Sequence, residues 1–232
     1  MIRAVGVVVP AHDEEDLLPF CLASLRAAAQ ALRGTEVHLV VVADACRDLT
    51  AQVARRGGAS VVAVEARNVG TARAAGVREV LHRTRHLDPA DIWLATTDAD
   101  SVVPACWLRQ QTRYAGQGWD AVAGTIEVTD WSGYRPETRT LFSGRYDGTG
   151  PHPHVHGANL GFRASAYLRA GGFPREPTAE DHAFVSALTA SGCRVLRTRA
   201  LPVATSGAKP APRRASAATS RNLTARKRER PL

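Results

Sequence analysis

Two carboxylates with one residue between them, Asp98 and Asp100, follow an apolar run at residues 92–97. Carboxylate oxygens suit magnesium and manganese, which normally bind through one or two protein carboxylates together with the phosphates of a substrate. The sequence Asp-Ala-Asp-Ser is also typical of a turn in which aspartates accept hydrogen bonds from backbone amides. The spacing alone therefore leaves two interpretations open, a metal site for a diphosphate compound and an ordinary turn.

Apolar runs alternate with amphipathic segments through the first hundred residues. The apolar runs predict four strands, at residues 5–9, 37–42, 60–64 and 92–97. The segments between them predict three helices, at about residues 14–32, 49–56 and 68–82. Strands without polar alternation, separated by helices, predict a parallel sheet covered on both faces. Ligands of such sheets bind beyond the carboxyl ends of the strands, and polar residues follow each strand there, at positions 10–14, 44, 65–68 and 98–100.

The composition predicts a soluble globular protein, because 232 residues, 44% of them hydrophobic, can build one good-sized core. The four cysteines are scattered without a Cys-x-x-Cys spacing. No secretory signal is apparent, and no apolar run approaches the roughly 20 residues that span a bilayer. We therefore expect a cytoplasmic location, with any membrane contact peripheral, at the inner face.

The net charge of +8 is concentrated at the C-terminus, since residues 207–232 contain eight basic residues and one acid. The remaining 206 residues are nearly neutral, so the folded part is not expected to bind nucleic acid specifically. The tail is rich in Ala, Pro, Ser and Arg and lacks apolar periodicity, which predicts disorder. It is either a solvated terminus or a polybasic contact with an anionic membrane surface.

Nucleotide-binding motifs of other classes are missing from the sequence. The first strand lacks a Gly-x-Gly-x-x-Gly turn, and no Gly-x-x-x-x-Gly-Lys follows any strand. Nicotinamide, flavin and P-loop chemistry are therefore excluded. Instead, seven motifs stand in order at residues 7–15, 41–50, 67–76, 98–101, 157–163, 171–173 and 180–181. Together they resemble family 2 glycosyltransferases with the GT-A fold, over roughly residues 5–206.

The resemblance implies a single α/β domain of GT-A type, with a Rossmann-like, mostly parallel central sheet flanked by helices and a smaller acceptor-side region. It places the nucleotide-sugar-binding half at about residues 1–100 and the acceptor-side half at about residues 101–206. The implied reaction moves a sugar from a UDP- or GDP-linked donor to an acceptor hydroxyl, with inversion and with Mg or Mn as cofactor. Members usually continue into further helices after the last predicted strand, at residues 194–198. Because residues beyond 206 form the basic tail instead, transfer of a single sugar to a small or lipid-like acceptor is favoured over polymer synthesis.

The resemblance also assigns roles to individual residues. Asp181 is the implied general base, which takes the proton from the acceptor hydroxyl. Asp100, together with Asp98, is implied to hold the metal. Ten residues are implied to bind substrate: Pro10, His12, Glu14, Asp44, Asn68, Gly70, Arg73, Asp98, Asn159 and Glu180. The first loop would contact the nucleoside, and Asp44 would contact the base. The residues around Arg73 would contact the diphosphate. Arg73 itself would contact either the diphosphate or the Asp98 and Asp100 carboxylates.

Other interpretations stay open for several of these residues. Thr178, Glu180 and Asp181 also form a plausible helix start, and Glu14 would suit a helix N-terminus electrostatically. The alternating histidines at 152, 154 and 156 are interpreted as acceptor or sugar contacts, or as plain loop, in preference to a second metal site. For the whole chain, the alternatives are a metal-dependent nucleotidyltransferase and a noncatalytic binding protein that meets a membrane surface.

Overall fold

The computed structural model describes residues 1–131, 152, 154–174 and 179–206. In this part of the chain the strands are β1 (Ala4–Ala11), β2 (Glu36–Asp44), β3 (Ser60–Val64), β4 (Ile92–Thr96), β5 (Ser101–Val102), β6 (Ala121–Val128), β7 (Leu160–Arg163) and β8 (Val195–Thr205). The helices are α1 (Leu18–Gln30), α2 (Thr50–Arg56), α3 (Val69–Arg83), α4 (Trp107–Gly116), α5 (Ala164–Arg169) and α6 (Glu180–Ala190). Two short 3-10 helices span Pro89–Asp91 and Gly157–Asn159.

The eight strands of the described residues belong to one sheet, in the order β3-β2-β1-β4-β7-β6-β8-β5. The first four strands are parallel to one another. β7 is antiparallel to both of its neighbours, β4 and β6, whereas β8 runs parallel to β6 and β5 antiparallel to β8. The predicted α/β fold with a central sheet flanked by helices is therefore confirmed, and its second half is more antiparallel than its first.

The sheet is apolar on both faces because helices cover both. On one face, Val8 and Leu94 pack with residues of α3, α5 and α6. On the other, Val7 and Trp93 pack with α1, α2 and α4. Helix α3 approaches the sheet closely, since a Cβ at Gly76 would lie 2.3 Å from a methyl group of Val8. This double burial explains why the strands read as continuous apolar runs.

Several element boundaries differ from the prediction. Helix α1 begins at Leu18, with Pro19 in its first turn, so residues 12–17 form a loop beyond the end of β1. Helix α3 begins where expected, because the Asn68 side chain accepts a hydrogen bond from the Thr71 amide (2.8 Å) and caps it. Strand β8 continues to Thr205, well beyond its predicted end at residue 198.

Two predictions fall on parts of the chain outside the described residues. These are the helix cap at Thr178 and the basic tail at 207–232. Within the described ranges, none of the helices combines the length and the apolar character that crossing a membrane requires.

Candidate active site

A cavity of about 640 Å³ opens at the carboxyl ends of β1, β2 and β4. The N-terminal ends of α3 and α6 also line it, which is the ligand position expected for a sheet of this kind. Residues from six of the seven sequence motifs meet in this one cavity, and the motif at residues 171–173 does not contribute to its lining. The predicted site residues among its lining are Pro10, His12, Glu14, Asp44, Asn68, Arg73, Asp98, Asp100, Glu180 and Asp181.

The Asp98 and Asp100 carboxylates are held by different partners. Asp98 Oδ1 accepts a hydrogen bond from Arg73 Nη2 (2.7 Å). Asp100 Oδ1 accepts from the hydroxyls of Ser101 (3.1 Å) and Thr205 (3.2 Å). Burial, and then the nearby Asp98 charge, raise the pKa of Asp100. The two carboxylates therefore repel each other across the cavity wall unless a positive charge lies between them.

Glu14 adds a third carboxylate to this side of the cavity. Its pKa is raised from 4.5 to about 7, mainly by burial and then by the charges of Asp100, Asp48 and Asp98. Because the cavity raises the pKa of both Glu14 and Asp100, it favours a divalent cation, which would offset the charge of these carboxylates. The oxygen-only donor set fits magnesium or manganese, and Asp98 and Asp100 are residues that could hold such an ion.

A second group of metal-compatible side chains lies nearby, at Asp13, Cys46 and Asp48. Its atoms are engaged with the protein itself. Asp13 Oδ1 accepts from the Arg47 amide, and both Asp48 oxygens accept backbone amides, of Thr50 and Glu15. Burial raises the pKa of the Cys46 thiol, which donates to the Ala11 carbonyl. This group joins the loops after β1 and β2, and a protonated thiol is a poor metal ligand.

Asp44 organises the loop that leads into α3. Its Oδ1 accepts hydrogen bonds from the amides of Ala66 (2.7 Å) and Arg67 (2.8 Å), and its Oδ2 from that of Asn68 (2.9 Å). The loop needs this support because Arg67 has a left-handed backbone, with φ of 48°. His12 Nδ1 lies 2.6 Å from the Asp44 carbonyl oxygen, which links the first loop to the same point. The predicted base-binding aspartate therefore also shapes the wall that a nucleotide would contact.

Arg73 connects the aspartate pair to the late acidic motif. It is 3% exposed and donates from Nη2 to Asp98 and from Nη1 to Glu180, which is itself 5% exposed. Gly157 packs against the guanidinium, since a Cβ at that position would lie 2.2 Å from Arg73 Cζ. Of the predicted aspartate pair, Arg73 contacts Asp98 and not Asp100 among the described contacts, and its predicted role at the diphosphate stays a prediction.

Asp181 lies in the first turn of α6 and is fixed by backbone amides. Its Oδ2 accepts from Gly157 N (2.9 Å) and its Oδ1 from His182 N (2.7 Å). The Gly157 carbonyl in turn accepts from the Thr96 hydroxyl at the end of β4 (2.7 Å). Asp181 is thus held at the cavity wall by the segment that covers Arg73, in a position to accept a proton from a group inside the cavity.

His156 also lines the cavity. Burial lowers its pKa from 6.5 to about 4; the Asp181 charge opposes this shift, while His154, His152 and His182 add to it. The three alternating imidazoles stack, with ring centroids 6.3 Å apart for His152 and His154 and 6.2 Å apart for His154 and His156. The predicted acceptor-side histidines therefore form one row that ends at the cavity beside Asp181.

Two predicted substrate-binding residues do not line the cavity. Asn159 is 2% exposed, and its amide accepts from Trp107 Nε1 and donates to the carbonyls of Thr125 and Leu201. Its place is behind the cavity, where it ties β6, β8 and α4 together, so direct substrate contact is not supported for Asn159. Gly70 permits close packing instead, because a Cβ there would lie 2.6 Å from the carbonyl oxygen of Pro174.

The sequence prediction missed Thr205, Ser101, Gly157 and Thr96 as supports of the site. All four act through hydroxyl or amide contacts to residues up to about a hundred positions away, as in the bond from Thr205 to Asp100. Thr205 could have been found as a polar residue at the end of a strand, but the strand was predicted to end at residue 198 and ends at Thr205.

The model of the family described as "Glycosyl transferase family 2" matches residues 6–170. None of the curated proteins matches the chain by sequence at a significant level.

Solved structures with the same fold include residues 1–349 of TarS from S. aureus, with a TM-score of 0.65 and 18% identity over 89% of this chain and 60% of that one. The same fragment in complex with UDP-GlcNAc gives a TM-score of 0.65 and 17% identity, over 90% of this chain and 60% of that one. The mannosyltransferase PcManGT from Pyrobaculum calidifontis, in complex with GDP-Man and Mn²⁺, gives a TM-score of 0.59 and 20% identity over 86% of this chain and 56% of that one. The chain thus spans about 60% or less of each of these solved chains.

Proposed function

This chain belongs to glycosyltransferase family 2, and we propose that it transfers a sugar from a UDP- or GDP-linked donor to a hydroxyl group of a small or lipid-like acceptor, with inversion and with a divalent metal. The ligands of the structural neighbours, UDP-GlcNAc for TarS and GDP-Man with Mn²⁺ for PcManGT, support this donor class. Family membership also favours an enzyme over the noncatalytic alternative.

One observation carries the proposal: a single buried arginine joins the two acidic motifs in one cavity. Arg73 contacts Asp98 of the aspartate pair and Glu180, the neighbour of Asp181. Residues 98 and 180 are far apart in the chain, so this connection fixes the distance between donor-binding and proton-accepting groups. A transferase needs that fixed distance, because the donor carbon and the acceptor oxygen must meet in line.

The donor end of the cavity is suited to a nucleoside diphosphate. The loop shaped by Asp44 and the first loop at His12 form the wall for the nucleoside, and the capped N-terminus of α3 offers backbone amides to phosphate oxygens. Asp98 and Asp100 would hold the divalent cation. When bound, that cation supplies positive charge to the departing diphosphate.

Asp181 acts on the acceptor. As the acceptor oxygen forms its bond to the anomeric carbon, its proton passes to Asp181, and the bond from that carbon to the diphosphate oxygen breaks with its electron pair leaving on the diphosphate. A single displacement of this kind inverts the anomeric configuration. The amides of Gly157 and His182 orient the carboxylate, so that its position is set before the acceptor arrives.

The proposal is tested by incubating the full chain with a panel of UDP- and GDP-sugars and Mn²⁺, and measuring release of the nucleoside diphosphate. At least one donor is expected to turn over in a metal-dependent manner, and Asp100→Ala is expected to abolish that turnover. Asp88→Ala is the matched control, because Asp88 is an exposed aspartate just before β4, at the opposite edge of the sheet. Failure of every donor, with Asp100→Ala indistinguishable from wild type, would contradict the proposal.

A further inference from the structure

Thr205, the last residue of β8, contacts the carboxylate proposed to hold the metal. Its Oγ1 donates to Asp100 Oδ1 (3.2 Å) and lies 3.0 Å from the hydroxyl oxygen of Ser101, which is itself 3.1 Å from the same Asp100 oxygen. Strand pairing sets this contact, since Ser101 of β5 stands opposite Thr205 in the antiparallel register. The triangle therefore joins two residues about a hundred positions apart in sequence.

The hydroxyl protons of Ser101 and Thr205 limit the hydrogen bonds that these two residues can form with Asp100. The three short contacts share two hydroxyl protons, one on Ser101 and one on Thr205. At least one of these protons is therefore donated to the Asp100 carboxylate, and it comes from Thr205 whenever Ser101 donates to Thr205. Both contacts fall on Asp100 Oδ1, and within the described part of the chain no other residue donates a hydrogen bond to Oδ2. The hydroxyls thus occupy one oxygen and leave the other for a ligand of the cavity.

The hydroxyl of Thr205 is held on a rigid base. Its backbone carbonyl accepts from the amide and the hydroxyl of Thr129 (3.0 and 3.2 Å), and the amide of Ser206 donates to the Asp100 carbonyl (3.1 Å). Ser101 is fully buried and Thr205 is 9% exposed. Because the backbone on both sides of the carboxylate is fixed, the hydroxyl can set the side-chain rotamer of Asp100.

We propose that Thr205 is a positioning residue for metal binding, whose hydroxyl holds Asp100 Oδ1 and directs Oδ2 to the cation. The inference rests on the proposed function, because it requires Asp100 to be a metal ligand. Hydrogen-bond partners of a metal-binding carboxylate fix its orientation, and their loss typically weakens metal affinity about 10- to 100-fold. With Ser101 still able to donate to Asp100, the lower end of that range is expected.

The test titrates the full chain with Mn²⁺ in the presence of UDP or GDP, whichever nucleotide the donor panel selects, and follows bound ion by electron paramagnetic resonance. Thr205→Val, which removes the hydroxyl at nearly constant volume, is expected to weaken Mn²⁺ binding about tenfold. Thr205→Ser, which restores the hydroxyl, is expected to recover most of the affinity. Thr198→Val, on the same strand but outside the cavity lining, is the matched control and should bind as wild type.

Wild-type affinity in Thr205→Val, or equal weakening in Thr205→Ser, would overturn the inference. Melting temperatures measured in parallel separate positioning from loss of structure, and Thr205→Ala replaces Thr205→Val, with the same expected loss, if the valine variant does not fold. Asp100→Ala distinguishes the two levels of the proposal. If Asp100→Ala binds Mn²⁺ as wild type, the proposed metal site is wrong; if only Asp100→Ala loses binding, the site stands and the role of Thr205 is refuted.

Discussion

Replacing Arg73 by methionine removes the cation that pairs with both Asp98 and Glu180. Methionine keeps much of the length of the side chain, so the main loss is the charge and its two hydrogen bonds. Glu180 is then left 5% exposed without its partner, whereas the Asp98 side chain, 38% exposed, is hydrated by solvent. The cost of the substitution therefore falls almost entirely on Glu180.

The magnitude follows from the burial of Glu180. Breaking a buried ion pair by removing one partner costs about 3–5 kcal/mol. We expect Arg73→Met to lower the free energy of unfolding by about 3–5 kcal/mol at pH 7.

Urea unfolding at pH 7 measures this loss. Arg73→Met with Glu180→Gln is expected to be more stable than Arg73→Met alone, because the second substitution removes the unpaired charge. Arg78→Met, an exposed position on the same helix, controls for the loss of an arginine and should change stability by less than about 0.5 kcal/mol. A loss below about 1 kcal/mol for Arg73→Met, or no recovery in the double variant, would refute the buried-pair reasoning.

Three further predictions concern the surroundings of this pair. Gly157→Ala would place a methyl group 2.2 Å from Arg73 Cζ, so it should abolish donor turnover and lower the free energy of unfolding by about 1–3 kcal/mol; wild-type turnover would contradict that packing. For His156, whose pKa falls from 6.5 to about 4, the unfolded chain binds the proton more readily, so stability should decrease as pH falls from 6.5 towards 4, and unfolding curves of His156→Gln should show a weaker decrease. Asn159→Ala leaves buried groups such as Trp107 Nε1 unpaired, at about 1–3 kcal/mol each; if Asn159 instead binds substrate, its loss would raise the donor KM without this destabilisation.

Local sequence patterns were sufficient to predict the parallel half of the fold. Continuous apolar runs locate β1 to β4, and Asn68 marks the start of α3, because these features depend on neighbours in the chain. The second half was not predicted in the same detail. Strand β7 has only four residues and pairs antiparallel with β4 and β6, and no local pattern specifies such pairing.

The candidate site divides in the same way. Carboxylates that follow strands, such as Asp44 and Asp98, were placed correctly at the cavity, because the edge of a parallel sheet gathers them. The roles that depend on partners distant in the chain could not be predicted from the sequence. Asn159 was predicted to bind substrate, but its side-chain amide forms hydrogen bonds with β6, β8 and α4. These hydrogen bonds depend on tertiary packing, as does the contact of Thr205 with Asp100.

Asp100 and Asp181 are proposed to have separate roles, metal binding for Asp100 and proton acceptance for Asp181. One experiment separates these roles: Mn²⁺-dependent binding of the nucleoside diphosphate is measured by calorimetry and transfer by product analysis, on the same preparations of wild type, Asp100→Ala and Asp181→Asn. Asp100→Ala is predicted to lose both metal-dependent binding and turnover. Asp181→Asn is predicted to bind the nucleotide and Mn²⁺ as wild type while its turnover falls by about 10²- to 10⁴-fold. Wild-type turnover in Asp181→Asn would exclude Asp181 as the general base, and unchanged metal-dependent binding in Asp100→Ala would exclude Asp100 as a metal ligand.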